Sequence, residues 1–293
     1  MRAGMPGRGK SAVRVAAMPV MAALMESTPS PGRLPITAII LAGSRPGPDP
    51  IAARAGVAVK ALAPVAGRPM VDHVVRTLLS HAGVGHVVLM AQQPDAILAD
   101  ASMAGLAGDD RVELAASGGG ISQSLLDWME ANPARLPALV TTADNVLLTN
   151  AMIDAFLAGV GNADIAAGMV ERGVLLRAWP QSRRTWLRFR GGAWSGANLF
   201  WLGNGRAAGA LAKWREIEQD RKKGWKIVRA FGLALLAGAA LRLLTVHQAI
   251  GRAGRRLGVQ ARIVPLPMAE ACIDADKPDD IDLIEHILAQ RAA

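Results

Sequence analysis

Short apolar segments alternate with helix-like segments along most of this chain, and this alternation limits the folds that it can adopt. The apolar run that begins at Ile36 (ITAIILAG) has the length and β-branched content of a buried strand, and it stops at a loop rich in glycine and proline. Residues 69–80 then place their apolar side chains at helical spacing. Residues 86–90 (HVVLM) and 138–142 (ALVTT) are typical of further buried strands.

This order of elements predicts a three-layer α/β/α sandwich of the Rossmann-like type, with a mostly parallel, mixed central sheet. Further helices are predicted at residues 121–131 and 152–157, and further strands at residues 165–170, 186–189 and 199–202. In a fold of this kind, ligands bind beyond the carboxyl ends of the strands. We therefore expect the site residues in the loops that follow the strands.

The start of the chain differs in composition from the rest. It is rich in glycine, proline, methionine and alanine, and residues 1–35 carry five basic residues against one acidic residue. This segment therefore contributes +4 of the net charge of +9. We predict a flexible tail over residues 1–33 and a single domain over residues 34–293, with an insertion or elaboration at about residues 171–260.

Composition narrows the class of protein. A single cysteine, Cys272, rules out an intrachain disulfide and favours a reducing compartment, so a cytoplasmic protein is expected. No apolar run reaches the roughly 18 residues needed to span a bilayer. The basic net charge suggests nucleic acid, but nearly half of the excess lies in the tail, so nucleic acid is not among the predicted partners.

A glycine-rich turn and a lysine follow the first strand. Residues 42–45 (AGSR) expose backbone N–H groups, and Arg45 and Lys60 can supply positive charge to the same polyphosphate. The chain has neither a Walker loop nor the G-x-G-x-x-G dinucleotide fingerprint at this place. The alternative is a surface loop with a solvated lysine, and spacing alone does not decide between the two.

The segment ILAGSRPGPDP…VKALAPVAGRPMVDHVV resembles the nucleotidyltransferases of the glycosyltransferase-A-like superfamily, which share an NTP transferase domain. The positions that fit their K-x-L-x-x-[VL]-x-G-[KR]-P-[ML] run are Lys60, Leu62, Gly67, Arg68, Pro69 and Met70. The resemblance implies a Mg²⁺-dependent enzyme that moves an NMP group, with CMP among the candidates, from an NTP to a phosphate-monoester acceptor and releases pyrophosphate. It also implies catalytic roles for Lys60 and Arg45, with Ala42, Gly43 and Ser44 binding the nucleotide.

Two aspartates are candidate magnesium ligands. Asp144 follows the strand ALVTT and so lies at a carboxyl end of the predicted sheet. Magnesium takes one or two carboxylates together with phosphate oxygens and waters. The segment CIDADKPDDIDLIEH resembles the late acidic segment of the same superfamily, which implies that Asp276 is the second ligand and Asp274 an outer-sphere or alternative one. Without the resemblance, this acidic run is typical of a helix N-terminus.

Two small-residue segments are candidates for binding the base and the acceptor. In residues 116–124 (ASGGGISQS), Gly118, Gly119 and Ser122 are the candidates for the base, since glycines let the backbone approach a planar ring. In residues 191–201 (GGAWSGANLFW), Gly196 and Asn198 are the acceptor candidates that the resemblance implies. The alternatives are an ordinary glycine-rich turn and a hairpin turn with an amide cap.

Residues 221–246 combine a basic stretch with an apolar one. Lys222 is a candidate for binding a phosphorylated acceptor. The apolar stretch allows three structural roles: a lid, a peripheral contact with the inner membrane face, or a helix packed within the protein, which is the commonest case. Two other functions stay open from the sequence: a nucleotide-sugar-dependent glycosyltransferase, which usually carries D-x-D where residues 143–145 are ADN, and a non-catalytic membrane-associated binding protein.

Overall fold

A computed structural model describes residues 35–44, 47–219 and 231–292 of the chain. Residues 34–293 form one compact unit. The predicted tail over residues 1–33, Arg45 and Lys222 lie outside the described residues.

The sheet is mixed and mostly parallel. Its strands, in chain order, are β1 Ile36–Leu41, β4 Val84–Ala91, β5 Val112–Ala116, β6 Ala138–Thr142, β7 Ile165–Glu171, β8 Leu187–Phe189, β9 Gly192–Leu202 and β10 Ala261–Pro265, while β2 Pro64–Val65 and β3 Arg68–Pro69 form a separate two-stranded ladder. Their order is β10-β7-β9-β6-β1-β4-β5, with β8 paired to β9. Strand β9 is antiparallel to its neighbours β6 and β7, and the β1, β4, β5 and β6 pairs are parallel.

The helices lie on both faces of this sheet. They are α1 Pro50–Ala55, α2 Met70–Ser80, α3 Pro94–Leu98, α4 Ile121–Ala131, α5 Asn150–Val160, α6 Arg172–Ala178, α7 Arg206–Gln219, α8 Leu233–Ala240, α9 Val246–Leu257 and α10 Pro278–Ala292. Alternate residues of β1 show the two faces: Ile39 packs in a cluster with Leu125 of α4, whereas Ile40 packs in the cluster that holds Val74 and Phe156. The predicted three-layer α/β/α sandwich is therefore confirmed.

The region from residue 171 to residue 260, predicted as an insertion, supplies strand β9 within the central sheet as well as elements beside it. Helix α6, the β8–β9 hairpin and helices α7, α8 and α9 all fall in it. A small third cluster joins Met169, Val246 and Ile263, and it attaches α9 to the strands. Helix α8 lies in the apolar stretch for which a packed helix is the commonest case. None of its residues is buried, so it is not packed within the protein in that way. Among the described residues, the helices are all too short or too polar to cross a membrane.

Candidate active site

Three loops converge where β1, β4 and β6 end. The N–H of Ala42 donates to the carbonyl of Met90 at 2.9 Å, and the N–H of Ala143 donates to the carbonyl of Leu41 at 3.0 Å. Because these strands are parallel neighbours, the residues that follow them meet at one edge of the sheet. The predicted glycine-rich turn and Asp144 therefore share this edge.

Lys60 and Asp144 form an ion pair at this edge. The Lys60 Nζ lies 2.6 Å from Asp144 Oδ2, and the hydroxyl of Thr142 donates to Asp144 Oδ1 at 2.6 Å. The two charged side chains are only 21% and 19% exposed. Lys60 begins a 3-10 helix whose next two residues, Ala61 and Leu62, are buried, so packing fixes the direction of the lysine. The structure thus brings together two of the predicted site residues.

The acidic segment near the carboxyl end of the chain lies against Asp144. The N–H of Ala275 donates to the carbonyl of Asp144 at 3.2 Å. The next residue, Asp276, has an exposed side chain, and its N–H donates to Asp280 Oδ2 at 3.0 Å at the start of α10. Asp144 and Asp276 are therefore on adjoining segments.

Asn198 lies beside the same acidic segment. Its Nδ2 donates to Asp274 Oδ2 at 2.6 Å, and its backbone has a φ of +48°, a left-handed conformation that asparagine adopts more readily than most residues. The register of β9 against β7 shifts at this point, and such bulges are frequent next to active sites. Gly196, two residues earlier on β9, is exposed.

Sequence reasoning missed Arg184. Its side chain is 9% exposed, and its guanidinium forms an ion pair with the carboxylate of Asp274 and lies 3.8 Å from Asp280 Oδ1. Arg184 therefore neutralises the acidic segment beside Asp276. No spacing signal marks it, because it comes from an irregular loop between α6 and β8.

Gln92 is a second residue that sequence reasoning missed. Its Nε2 donates to the carbonyl of Ser44 at 3.0 Å, and its Oε1 accepts from the N–H of Ser44 at 2.9 Å. A Cβ at Gly43 would lie 3.1 Å from Gln92 Nε2, so glycine lets the turn pass close to this amide. Gln92 directly follows β4, and the rule that ligands bind at carboxyl strand ends could have identified it.

The predicted base-side loop joins β5 to α4. The N–H of Gly118 donates to Ser124 Oγ at 2.9 Å, and the N–H of Ser117 donates to the carbonyl of Ala91 at 2.7 Å. The second bond places the loop beside the end of β4. Gly118 and Gly119 are exposed, whereas Ser122 is buried in α4. The two glycines are thus open to a ligand, and Ser122 faces the protein interior.

The carboxylates at this edge of the sheet suit a hard cation that is also coordinated by a bound substrate. Within the part of the chain that the structure describes, no three His, Cys, Asp or Glu side chains are grouped to hold a metal. Two carboxylates on adjoining segments, Asp144 and Asp276, fit Mg²⁺ bound together with phosphate oxygens and water rather than by protein alone.

The chain matches a known family over most of its length. Residues 38–234 match the family described as MobA-like NTP transferase domain. Among functionally curated proteins, no sequence matches the chain significantly.

Several solved structures share the fold. A hypothetical transferase from Thermus thermophilus is 29% identical with a TM-score of 0.69, and the match covers 85% of this chain and 100% of that one. A 4-diphosphocytidyl-2C-methyl-D-erythritol synthase from Anaerococcus prevotii is 10% identical, with a TM-score of 0.54 and coverage of 87% and 96%. A CMP:2-keto-3-deoxy-manno-octonic acid synthetase complexed with CTP is 13% identical, with a TM-score of 0.54 and coverage of 88% and 99%. At these identities the last two indicate the fold alone.

Proposed function

Since this chain belongs to the family of MobA-like NTP transferase domains and is a nucleotidyltransferase, we propose that it moves an NMP group from an NTP to a phosphate-monoester acceptor. In this reaction an acceptor phosphate oxygen attacks the α-phosphorus. A new P–O bond forms there, and the bond to the β-phosphate breaks, so that pyrophosphate leaves with the bonding electron pair. The observation that carries the proposal is the 2.6 Å ion pair of Lys60 with Asp144, beside the segment of Asp276.

Lys60 stabilises negative charge in this proposal. Its ammonium is held by one carboxylate and by no other hydrogen-bond acceptor among the described residues, so it can turn toward a phosphate oxygen without losing a network. The charge that moves during phosphoryl transfer is spread over phosphate oxygens, and a fixed cation in a partly dry site stabilises it strongly. Arg45 is proposed as a second cation on the leaving pyrophosphate.

Asp144 and Asp276 are the proposed ligands of Mg²⁺. The ion supplies charge neutralisation for the phosphates and holds them in place. The hydroxyl of Thr142 donates to Oδ1 and so orients the carboxylate of Asp144. The other oxygen, Oδ2, pairs with Lys60 in this structure and is the one proposed to bind the ion. Asp276 is exposed and fixed through its own backbone N–H, so its carboxylate can turn without unfolding the segment.

The two sides of the edge divide between nucleotide and acceptor. The turn of Gly43 and Ser44 and the glycines of the β5–α4 loop flank the end of β4, and we assign the nucleotide to this side. Gly196 and Asn198 lie on the other side of β6, and we assign the acceptor to them. Lys222 is a further candidate for the acceptor phosphate. The enzyme then works mainly by positioning two anionic substrates in line.

Pyrophosphate release tests this function directly. The full chain is incubated with Mg²⁺, each of the four common NTPs in turn, and a panel of sugar phosphates and polyol phosphates. We expect release that requires one NTP and one monoester together. Release with no NTP and acceptor pair, or release from NTP alone at the same rate, would refute the proposed transfer.

A matched lysine pair separates catalysis from folding. Lys60→Met removes the ammonium at the site, whereas Lys213→Met removes an exposed ammonium on α7 that is not among the proposed site residues. We expect loss of activity only in the first variant. Equal activity in both variants would contradict the proposed role of Lys60.

A further inference from the structure

One segment of the chain is strongly basic. Residues 221–269 contain ten basic residues and no acidic residue, while the whole chain has a net charge of +9. The rest of the sequence is therefore net negative by one. Such a one-sided distribution produces a strong local potential that attracts an anionic partner.

The same region exposes a large apolar surface. Helix α8 has the sequence LALLAGAA and no buried residue. Leu233 at its start is 71% exposed, and Leu241 and Leu243 just after its end are 70% and 61% exposed. A helix that is apolar all round is normally buried in a protein or in lipid. Exposed apolar surfaces of this kind mark interaction sites.

Two arginines adjoin this apolar surface, and two more are exposed on the neighbouring helix α9. Arg242 lies between the two exposed leucines that follow α8. At the other end, a Cβ on Gly232 would lie 3.0 Å from the guanidinium carbon of Arg256, so this arginine reaches the start of α8. Arg252 and Arg255 are exposed on the same helix, α9. Among the described residues, none of these four arginines pairs with a carboxylate.

We propose that α8 and its flanking arginines form a surface that docks on an anionic lipid bilayer. The leucines enter the interface between headgroups and acyl chains, and the arginines meet the lipid phosphates. Eight helical residues are too few to span a bilayer, so the contact is peripheral. Nucleic acid would account for the arginines but not for three leucines exposed among them. The proposal does not depend on nucleotidyl transfer.

Vesicle flotation with the full chain tests the docking. Vesicles of phosphatidylcholine alone are compared with vesicles that also contain about 30% phosphatidylglycerol, a content that gives a strongly negative surface. We expect at least tenfold tighter binding to the anionic vesicles, and weaker binding as salt shortens the screening length. Equal binding to the two compositions, or none to either, would overturn the proposal.

Two triple variants separate the apolar contribution from the electrostatic one. Leu233→Gln/Leu241→Gln/Leu243→Gln is expected to weaken binding at least tenfold, since three apolar side chains no longer enter the interface. Arg252→Gln/Arg255→Gln/Arg256→Gln is expected to weaken it by about fivefold for each arginine at low salt. The control Leu114→Gln, on edge strand β5, replaces an exposed leucine outside this surface and leaves binding unchanged.

The same variants test other occupants of the surface. Unchanged pyrophosphate release with soluble substrates, and unchanged thermal unfolding, would show that the triple variants are folded. Vesicle binding retained by the leucine triple variant would contradict the proposal. Self-association in the absence of lipid that this variant abolishes would assign the surface to a second copy of the chain instead. Duplex DNA binding that displaces the vesicles and survives in the leucine variant would assign it to nucleic acid.

Discussion

Removing the ammonium of Lys60 perturbs both the stability of the site and its chemistry. Lys60→Met keeps most of the side-chain volume and deletes the charge that lies 2.6 Å from Asp144 Oδ2. A hydrogen bond to a charged group contributes about 1.5–3 kcal/mol to stability, and a fully exposed ion pair less than about 1 kcal/mol. With both side chains about one fifth exposed, we expect a coupling energy of about 1–2 kcal/mol.

A double-mutant cycle measures this coupling energy. The free energies of unfolding of wild type, Lys60→Met, Asp144→Asn and the double variant are obtained from urea titrations followed by circular dichroism. The internal control is the exposed pair of Arg54 with Asp282, 3.6 Å apart, for which we expect a coupling energy of at most about 0.5 kcal/mol. Equal coupling energies in both pairs would refute the argument from burial.

The same lysine variant has a kinetic consequence that exceeds its effect on stability. Loss of one positioned charge at a transition state typically costs about 10²–10³ in kcat. We expect a fall of that size in pyrophosphate release at temperatures where the variant is still folded. A folded Lys60→Met variant with wild-type turnover would exclude the proposed catalytic role.

Three further predictions concern packing and buried ionisable groups. In α5, a Cβ at Gly159 would lie 2.4 Å from Val264 Cγ1, so Gly159→Ala should lower the free energy of unfolding by about 1–3 kcal/mol. A Cβ at Gly209 in α7 would meet nothing within 4 Å, so Gly209→Ala should raise the free energy of unfolding by about 0.5–1 kcal/mol. Urea titrations of the two variants measure both changes, and a loss of stability in neither would contradict the packing argument. Hydrogen bonds, above all from the backbone N–H of residue 260, lower the pKa of Asp164 below its usual 3.8, so the ionised carboxylate stabilises the fold above that pH and this stabilisation is lost as the pH falls through the lowered pKa. Asp164→Asn should therefore lower the free energy of unfolding by about 1–3 kcal/mol at pH 7 and by less in acid. A difference between wild type and variant that stays constant with pH would contradict this. Burial raises the pKa of the Cys272 thiol to about 11, so a thiol reagent at pH 8 should modify the native chain far more slowly than the urea-unfolded chain; equal rates would be the contrary result.

Much of the fold could be predicted because its strands are short, apolar and separated by clear helical periodicity. The helix at residues 121–131 and the strand at residues 138–142 have the bounds that the sequence predicts. Strand β5 was not predicted, because Val112–Ala116 contains a glutamate and lies at the edge of the sheet, where one side remains exposed. Helix α1 was also not predicted: it begins at Pro50 inside a segment that its prolines and glycines mark as a loop.

The site could be predicted where function requires a residue type at a strand end. Asp144 follows β6, and the family motif contains Lys60, so their pairing follows from topology and resemblance together. Arg184 could not be predicted, because it reaches Asp274 from a loop in the insertion and depends on tertiary packing. The exposure of α8 is a second such case. Its sequence indicates an apolar helix, but only the arrangement of its neighbours leaves it uncovered.

The stoichiometry of Mn²⁺ bound in place of Mg²⁺, measured by electron paramagnetic resonance with a non-hydrolysable NTP analogue present, tests whether Asp144 and Asp276 together form the metal site. We predict one tightly bound ion per chain, lost in Asp144→Asn and in Asp276→Asn. The matched control Asp279→Asn, in the first turn of α10, should keep it. Tight binding that survives both substitutions, or that all three remove alike, would contradict a site built by these two carboxylates.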